Sequence, residues 1–379
     1  MSPTSEPLMA TRVLVPGVGP CVARVVDGRA FDISTQYPTM RDLCEADDPA
    51  ASLADVRGPD LGQITDLEAN ACAPTRDTRK ASLLAPIDLQ AVKAAGVTFA
   101  VSMIERVIEE KAKGDPKAVA AIREQIQTLV GNDLRKLKPG SAEAETLKQT
   151  LIANGAWSAY LEVGIGPDAE IFTKAQPMSA VGSGADIGVH PKSVWNNPEP
   201  EVVLIVNSRG SIVGATLGND VNLRDVEGRS ALLLGKAKDN TSSAALGPCI
   251  RFFDTHFTLY DVRRMDVALD VAGEDGFHLT GGSSISNISR DPADLVAQTI
   301  NAHHQYPDGF ALYLGTMFAP TQDRDVVGQG FTHKTGDIVS VSAAGLGTLR
   351  NRVVPTDRAE PWTFGAADLM RNLAKRGLI

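Results

Sequence analysis

The chain has 379 residues, 43% of them hydrophobic and 22% charged, with a formal net charge of -9. That length and hydrophobic content are enough for a large buried core, which excludes a disordered chain and fits one large domain with an appendage, or two domains. The acidic balance, with basic residues scattered rather than clustered, lacks the electrostatic footprint of a nucleic-acid binder.

No apolar run approaches the length needed to cross a bilayer, and the start, MSPTSEPLMATRVLVPGVG, lacks a basic region followed by a long apolar stretch. A cytoplasmic protein with no membrane contact is expected. Cys21, Cys44, Cys72 and Cys249 are far apart and form no C-x-x-C, so reduced thiols are expected rather than a zinc ribbon or a disulfide framework.

Residues 12 to 32 alternate short apolar runs with Gly and Asp, the pattern of small strands and tight turns, and predict an N-terminal β-rich domain over residues 1–80. From about Leu83, LLAPIDLQAVKAAGVTF opens the main domain, residues 81–379. A helical block follows. Ser102 and Glu105 form an S-x-x-E capping box for a helix that Gly114 can end. Asp115 and Pro116 match an N-cap and first helical residue for a second helix running to Gly131, and a third is predicted over Ala142 to Ala153, ending at Asn154 and Gly155. This charged stretch, about 103–155, reads as a solvated helical insertion or an oligomer arm. From about 160 to 352, EIFTKA, EVVLIVN, SIVGATLG, FTLYDVRRMDVALDV, GFALYLGT and GDIVSVS predict short strands separated by glycines and turns. The fold class is therefore α+β and β-rich.

Within that core, NPEPEVVLIVNSRGSIVGATLGNDVNLRD carries the chemistry. A strand from Glu201 to Val206 places alternate residues on opposite faces, so Glu199 and Glu201 share one face if the strand extends back. Ser208-Arg209-Gly210 is a turn before a second apolar run, which predicts an antiparallel hairpin. With the turn centred near Arg209, facing residue numbers total about 418, which sets Glu199 opposite Asn219 and brings Asp220 beside both glutamates. Three carboxylates so close raise each other's pKa unless a cation neutralises them, and Mg2+, Mn2+ or Ca2+ suits such a set. An E-x-E beside a strand is also the pattern of an ordinary exposed charged edge, and the hairpin alone does not decide between the two.

The order Glu199-x-Glu201, then Asn219-Asp220-Val-Asn-Leu-Arg224-Asp225, closely resembles the metal motif of the fumarylacetoacetate hydrolase superfamily. LLAPI near Leu83, EIFTKAQPMSAVGSG from Glu170, LGPCI from Leu246, LGT from Leu314 and HKTGDIVSVSAAGLGTLRNRV fall in the same order, so the resemblance covers roughly residues 80 to 355. It implies a mixed-β roll for the main domain, with Glu199, Glu201 and Asp220 holding Mg2+ or Mn2+, in a homodimer or homotetramer. Members act on small 2-oxo acids or 1,3-dicarbonyl compounds, and membership alone leaves the reaction open.

The hydrolases of that family carry N-Y-x-x-H-x-x-E, with the His as general base; Thr98-Phe99-Ala100-Val101-Ser102-Met103-Ile104-Glu105 stands there instead. Ser102 replaces the His and, with no His partner apparent in the sequence, is a poor base at neutral pH; it is expected to cap a helix or contact substrate. The G-V-T-F opening and the helical insertion look more like the branch that dehydrates 2-keto-3-deoxy sugar acids, which implies conversion of 2-keto-3-deoxy-D-xylonate to 2,5-dioxopentanoate. Position in the family then suggests Glu170 and Lys238 for proton transfer, with Lys236 as the rival lysine, and proximity to a metal would favour a lowered lysine pKa. Thr316, Arg224, Ser283 and Ser284 would contact substrate. Glu170 also reads as a strand-edge acid, Arg224 as an ion-pair partner of Asp225, and GGSSIS as a plain turn. The glycines from Gly182 do not fit a dinucleotide fingerprint, and His303 and His304 point apart on any regular element. The rivals are an acylpyruvate-type hydrolase, a 2-oxo acid decarboxylase, and an inactive sugar-acid-binding paralogue.

Overall fold

Strands dominate the chain, in keeping with its short apolar runs. The computed structural model describes residues 6–99, 103, 107, 137–155, 157–318, 322–325 and 330–379. In chain order the strands are β1 (Met9–Val15), β2 (Gly19–Val26), β3 (Arg29–Asp32), β4 (Asp60–Gln63), β5 (Ser82–Leu84), β6 (Ala91–Gly96), β7 (Glu170–Ala175), β8 (Asp186–Val189) and β9 (Asn196–Asn197). There follow β10 (Pro200–Val206), β11 (Ile212–Asp220), β12 (Asn222–Leu223), β13 (Ala244–Phe252), β14 (Asp266–Ala272), β15 (His278–Ser284), β16 (Phe310–Tyr313), β17 (Ile338–Ala343) and β18 (Gly347–Pro355). Among the described residues they build an eleven-stranded sheet in the order β4-β3-β2-β1-β13-β11-β10-β16-β6-β7, with β5 beside β1. A five-stranded sheet, β15-β14-β17-β18-β8, and a two-stranded ribbon, β9 with β12, complete the set. β16 pairs parallel with β6, and β18 with β8, so both larger sheets are mixed.

The β10–β11 hairpin lies at the centre. Val202, Leu204 and Val206 enter the core between the two large sheets, while Val203 and Ile205 enter a second core on the opposite face. Burial on both faces is why this strand reads as an unbroken apolar run rather than an alternating one. Further along the same sheet, β1 pairs with β13 through Met9↔Arg251 and Ala10↔Ile250. The N-terminal strands thus continue the sheet that carries the hairpin.

Near its turn the hairpin has the register expected from the sequence, Val206↔Ile212, but beyond a β-bulge at Val213 the pairs become Ile205↔Gly214 through Pro200↔Asn219. The extra residue shifts the pairing by one. Glu199 therefore faces Asp220, whose N–H donates to the Glu199 carbonyl at 3.0 Å, and not Asn219. A second difference concerns FTLYDVRRMDVALDV, read from the sequence as strand-forming throughout. Leu259–Val262 is a turn of helix, because the Thr258 and Asp261 side chains form a capping box there, and only Asp266–Ala272 is strand.

The helix Ala142–Ala153 has its predicted bounds, with Ser141 capping its start by accepting from the Ala144 N–H and Asn154 closing it. The predicted helices from Ser102 to Gly114 and from Asp115 to Gly131 fall outside the described residues, apart from Met103 and Val107, which are buried with Leu151, Leu161 and Ile165. All four cysteines are free thiols. No described helix is long and apolar enough to cross a membrane.

Behind the five-stranded sheet, the HKTGD turn centres on a buried ion pair. Arg324 grips Asp337 with both nitrogens, at 2.6 and 2.9 Å, and both side chains are 1% exposed. Burial alone would raise the Asp337 carboxyl, but His333, Arg324 and the Lys334 N–H hold it down at about 2. A depressed carboxyl stabilises the fold above the ordinary carboxylate pKa of about 4, and that contribution is lost as pH falls towards 2. Arg324→Met leaves a buried carboxylate uncompensated and is expected to cost about 3–5 kcal/mol, measured by urea unfolding at pH 7. The loss should shrink on acidification.

Candidate active site

Strand alternation and the bulge together put the side chains of Glu199, Glu201 and Asp220 on one face of the hairpin. One oxygen from each lies within 4.8 Å of the others, and the residues are only 7%, 2% and 2% exposed. Beneath them the face needs a glycine. A Cβ at Gly218 would fall 2.3 Å from the Tyr313 ring, and this close approach lets the Tyr313 hydroxyl reach the Ala245 carbonyl at 2.7 Å.

Two buried lysines meet the carboxylates. Lys238, the last residue of the short helix Leu234–Lys238, places Nζ 2.5 Å from Glu199 Oε2 and 3.1 Å from Asp220 Oδ2. Its rival Lys236, on the same helix, is exposed. Lys174, which sequence reasoning overlooked, comes from β7. Its Nζ lies 2.8 Å from Asp220 Oδ1 and donates to the carbonyls of Val221 and Lys238 and to Ser243 Oγ. A bulge coincides with Lys174, since Thr173 pairs with Lys93 and Ala175 with Val92, and bulges commonly re-aim a side chain beside a site.

The lysines respond differently to this shared surrounding. Burial lowers the pKa of Lys174, only partly offset by Asp220, and the nearby Lys238 adds to the lowering. Burial works the same way on Lys238, but Asp220, Glu199 and Glu227 outweigh it and its pKa rises. The lowered value expected from the sequence belongs to a lysine beside a bound metal; without one, three acids face this ammonium and hold its proton. Glu201 has the opposite problem. Burial first, then Asp220 and Glu199, push its pKa well above the carboxylate range, while Lys238 and the Gly315 N–H, which donates to Oε2 at 2.6 Å, resist.

The other described sequence candidates have partners of their own. Thr316 follows Gly315, and its Oγ1 accepts from the Phe318 N–H at 3.1 Å, while Ser283 Oγ accepts from the Met317 N–H at 3.1 Å. Each hydroxyl accepts one backbone N–H and, among the described residues, donates its proton to no partner, which suits recognition of an anionic or ketonic oxygen. Ser284 pairs with the Ser286 hydroxyl. Arg224 is buried with its guanidinium 4.2 Å over the Trp195 ring, while Asp225 accepts from Ser193 Oγ and the Val194 N–H. Glu170 begins β7 and lies over Gly96, where a Cβ would meet its Oε2 at 2.0 Å. Phe172, two residues on, packs its ring 5.7 Å from Lys238 Nζ. Ser102 lies outside the described residues. Asn222, also unforeseen, donates from Nδ2 to Glu199 Oε1 at 3.0 Å and to Glu227 Oε2 at 2.6 Å.

Three carboxylates against two ammonium groups leave one negative charge in excess, in a setting that penalises it. Hard oxygen donors, close convergence and a destabilised Glu201 carboxylate fit a divalent cation such as Mg2+. A cation held there would act as a Lewis acid, stabilising negative charge that develops on an oxygen bound to it.

Known proteins are similar to this chain. A family model described as the C-terminal part of fumarylacetoacetate (FAA) hydrolase matches residues 161–354. A protein of Haloferax volcanii named a probable 2-keto-3-deoxyxylonate dehydratase is 31% identical over 194 residues, 51% of this chain and 63% of the relative. The 2-dehydro-3-deoxy-D-arabinonate dehydratase of Saccharolobus solfataricus is 32% identical over 180 residues, 48% of this chain and 57% of the relative. The chain thus aligns with somewhat over half the length of each. Among solved structures, a 2-keto-3-deoxy-D-arabinonate dehydratase complexed with magnesium and 2,5-dioxopentanoate superposes with a TM-score of 0.64 at 22% identity, covering 93% of this chain and 100% of that one. A 5-carboxymethyl-2-hydroxymuconate delta-isomerase from Mycobacterium smegmatis gives 0.52 at 18% identity, covering 92% and 99%. At these identities the structures establish the shared fold.

Glu201→Gln tests the electrostatics directly. A carboxyl with a raised native pKa favours folding when protonated, so its contribution declines as pH rises through that pKa. The metal-free variant should melt higher than the parent at pH 8, by about 2 °C or more, with the gap closing towards pH 4. Added Mg2+ should raise the melting temperature of the parent but not of the variant.

Proposed function

Since the chain belongs to the fumarylacetoacetate hydrolase family, we propose that it is a divalent-metal-dependent hydro-lyase converting 2-keto-3-deoxy-D-xylonate to 2,5-dioxopentanoate and water. The observation that carries this reading is that both curated relatives are named as dehydratases of a 2-keto-3-deoxy pentonate. Their two sugar names do not conflict. Making C2 a ketone and C3 a methylene erases the centres that distinguish D-xylonate from D-arabinonate, so 2-keto-3-deoxy-D-xylonate and 2-keto-3-deoxy-D-arabinonate are one compound.

Glu199, Glu201 and Asp220 would hold Mg2+ or Mn2+, which supplies electrophilic polarisation of the substrate's C1 carboxylate and C2 ketone. The remaining work falls to side chains of this chain. Lys238, cationic beside Glu199 and Asp220, offers a fixed positive charge to an oxygen that becomes negative when C3 loses a proton. Glu170 is the proposed group for proton transfer, taking the C3 proton or, when protonated, giving one to the departing C4 hydroxyl. Thr316 and Ser283 would donate their hydroxyl protons to substrate oxygens, with Arg224, Ser284 and Ser102 completing the contacts.

The balance closes without an external oxidant. C3 loses a proton and C4 loses hydroxide, which leave together as water and create a C3–C4 double bond. A proton then leaves C5 and another is gained at C3, giving a C4–C5 enol; its hydroxyl loses a proton as C4 gains one, so C5 ends as an aldehyde and C4 as a methylene. Oxidation at C5 matches reduction at C4.

Purified protein supplied with the substrate and Mg2+ or Mn2+ should form an aldehyde, detected through a coupled aldehyde dehydrogenase, and EDTA should abolish the signal. Pyruvate release from an acylpyruvate, with no aldehyde, would keep the family and overturn the reaction. Lys238→Met is expected to lower kcat about 10²-fold or more, while Lys236→Met should stay within twofold of the parent.

A further inference from the structure

Each of the three clustered carboxylates is fixed by a different device. Asp220 is spanned by two ammonium groups, Lys174 on Oδ1 and Lys238 on Oδ2. Glu201 receives the Gly315 N–H. Glu199 is held at both oxygens: Lys238 takes Oε2, and the Asn222 amide takes Oε1. Asn222 opens the ribbon strand β12, directly after Asp220 and Val221, and it is fully buried.

The Asn222 amide has two N–H bonds on one nitrogen and spends them on two acids, Glu199 Oε1 at 3.0 Å and Glu227 Oε2 at 2.6 Å. Its own oxygen is buried and meets no hydrogen-bond donor among the described residues. The amide orientation is therefore set from its nitrogen side. Turned over, it would aim an oxygen at two carboxylate oxygens, a repulsion in a buried place where unpaired polar contacts are costly. Glu227 ends the short helix Arg224–Glu227 and is half-buried, so it locks the amide from outside the carboxylate cluster.

A neutral donor has one property that a lysine lacks. It fixes the carboxylate plane without cancelling the charge that would attract a cation. We propose that Asn222 and Glu227 form a positioning pair, with Glu227 clamping the Asn222 amide so that Glu199 is aimed to accept a divalent cation. This rests on the reading of the three carboxylates as the metal site. Groups that orient metal-binding side chains from behind influence affinity about as strongly as their removal influences activity, commonly 10–100-fold.

The test is direct binding of Mn2+ to the full chain, followed by the loss of its free-ion electron paramagnetic resonance signal, with melting temperature in EDTA as the folding control. Asn222→Ala should weaken Mn2+ binding about 10–100-fold. Glu227→Ala should weaken it several-fold, and Glu227→Gln, which keeps a carbonyl acceptor for the amide, should bind within twofold of the parent. If Glu227→Gln is as weak as Glu227→Ala, the effect is one of charge and the positioning role is overturned. Binding within twofold of the parent for both Asn222→Ala and Glu227→Ala overturns it as well. Should Asn222→Ala fail to fold, the Glu227 pair decides alone, since that residue is only half-buried at a helix end. A parent that binds no Mn2+ at millimolar concentration would sink the metal reading itself, and the pair with it.

Discussion

The constraint on which the site depends is the cost of keeping three carboxylates dry and side by side. Burial and mutual repulsion both oppose their ionisation, and Glu201 bears most of that strain. The fold meets it with short-range, directional partners: two ammonium groups, a backbone N–H and an amide, each assigned to particular oxygens. The geometry that makes the metal-free centre unfavourable is what would make it a strong cation site, a form of stability exchanged for function.

Such partners have to arrive from separate parts of the chain, and the sheet delivers them. β10 and β11 carry the acids, β7 brings Lys174 from the far side of β16 and β6, and the segment after β16 supplies the Gly315 N–H. Tyr313 fills the space under Gly218, so the floor is packed rather than hollow. Burial of the hairpin on both faces removes the freedom to slip register, because a one-residue slide would exchange the acids for apolar residues.

Much of this was legible in the sequence. The period of two in Glu199 and Glu201, with a turn at Ser208-Arg209-Gly210, was enough to bring Asp220 near them, and the helix Ala142–Ala153 was marked by its stop at Asn154 and Gly155. The bulge at Val213 was not legible, since it depends on how β11 meets both neighbours and no residue type marks it. Lys174 was passed over because a lysine in EIFTKA reads as the solvent side of an edge strand; its burial is decided by Val221, Lys238 and Ser243, remote in sequence. Asn222 and Glu227 carry no signal of their own, since an amide and an acid five residues apart acquire meaning only when β12 folds against β9.

The pairing of β1 with β13 has a consequence for dissecting the molecule. β13 lies between β1 and β11, so removing everything before residue 81 would uncover β13 at Ile250 and Arg251, where it pairs with β1. The exposed row of backbone donors and acceptors would be a template for strand addition between molecules. The N-terminal strands thus act as a built-in guard for that edge of β13 against another strand.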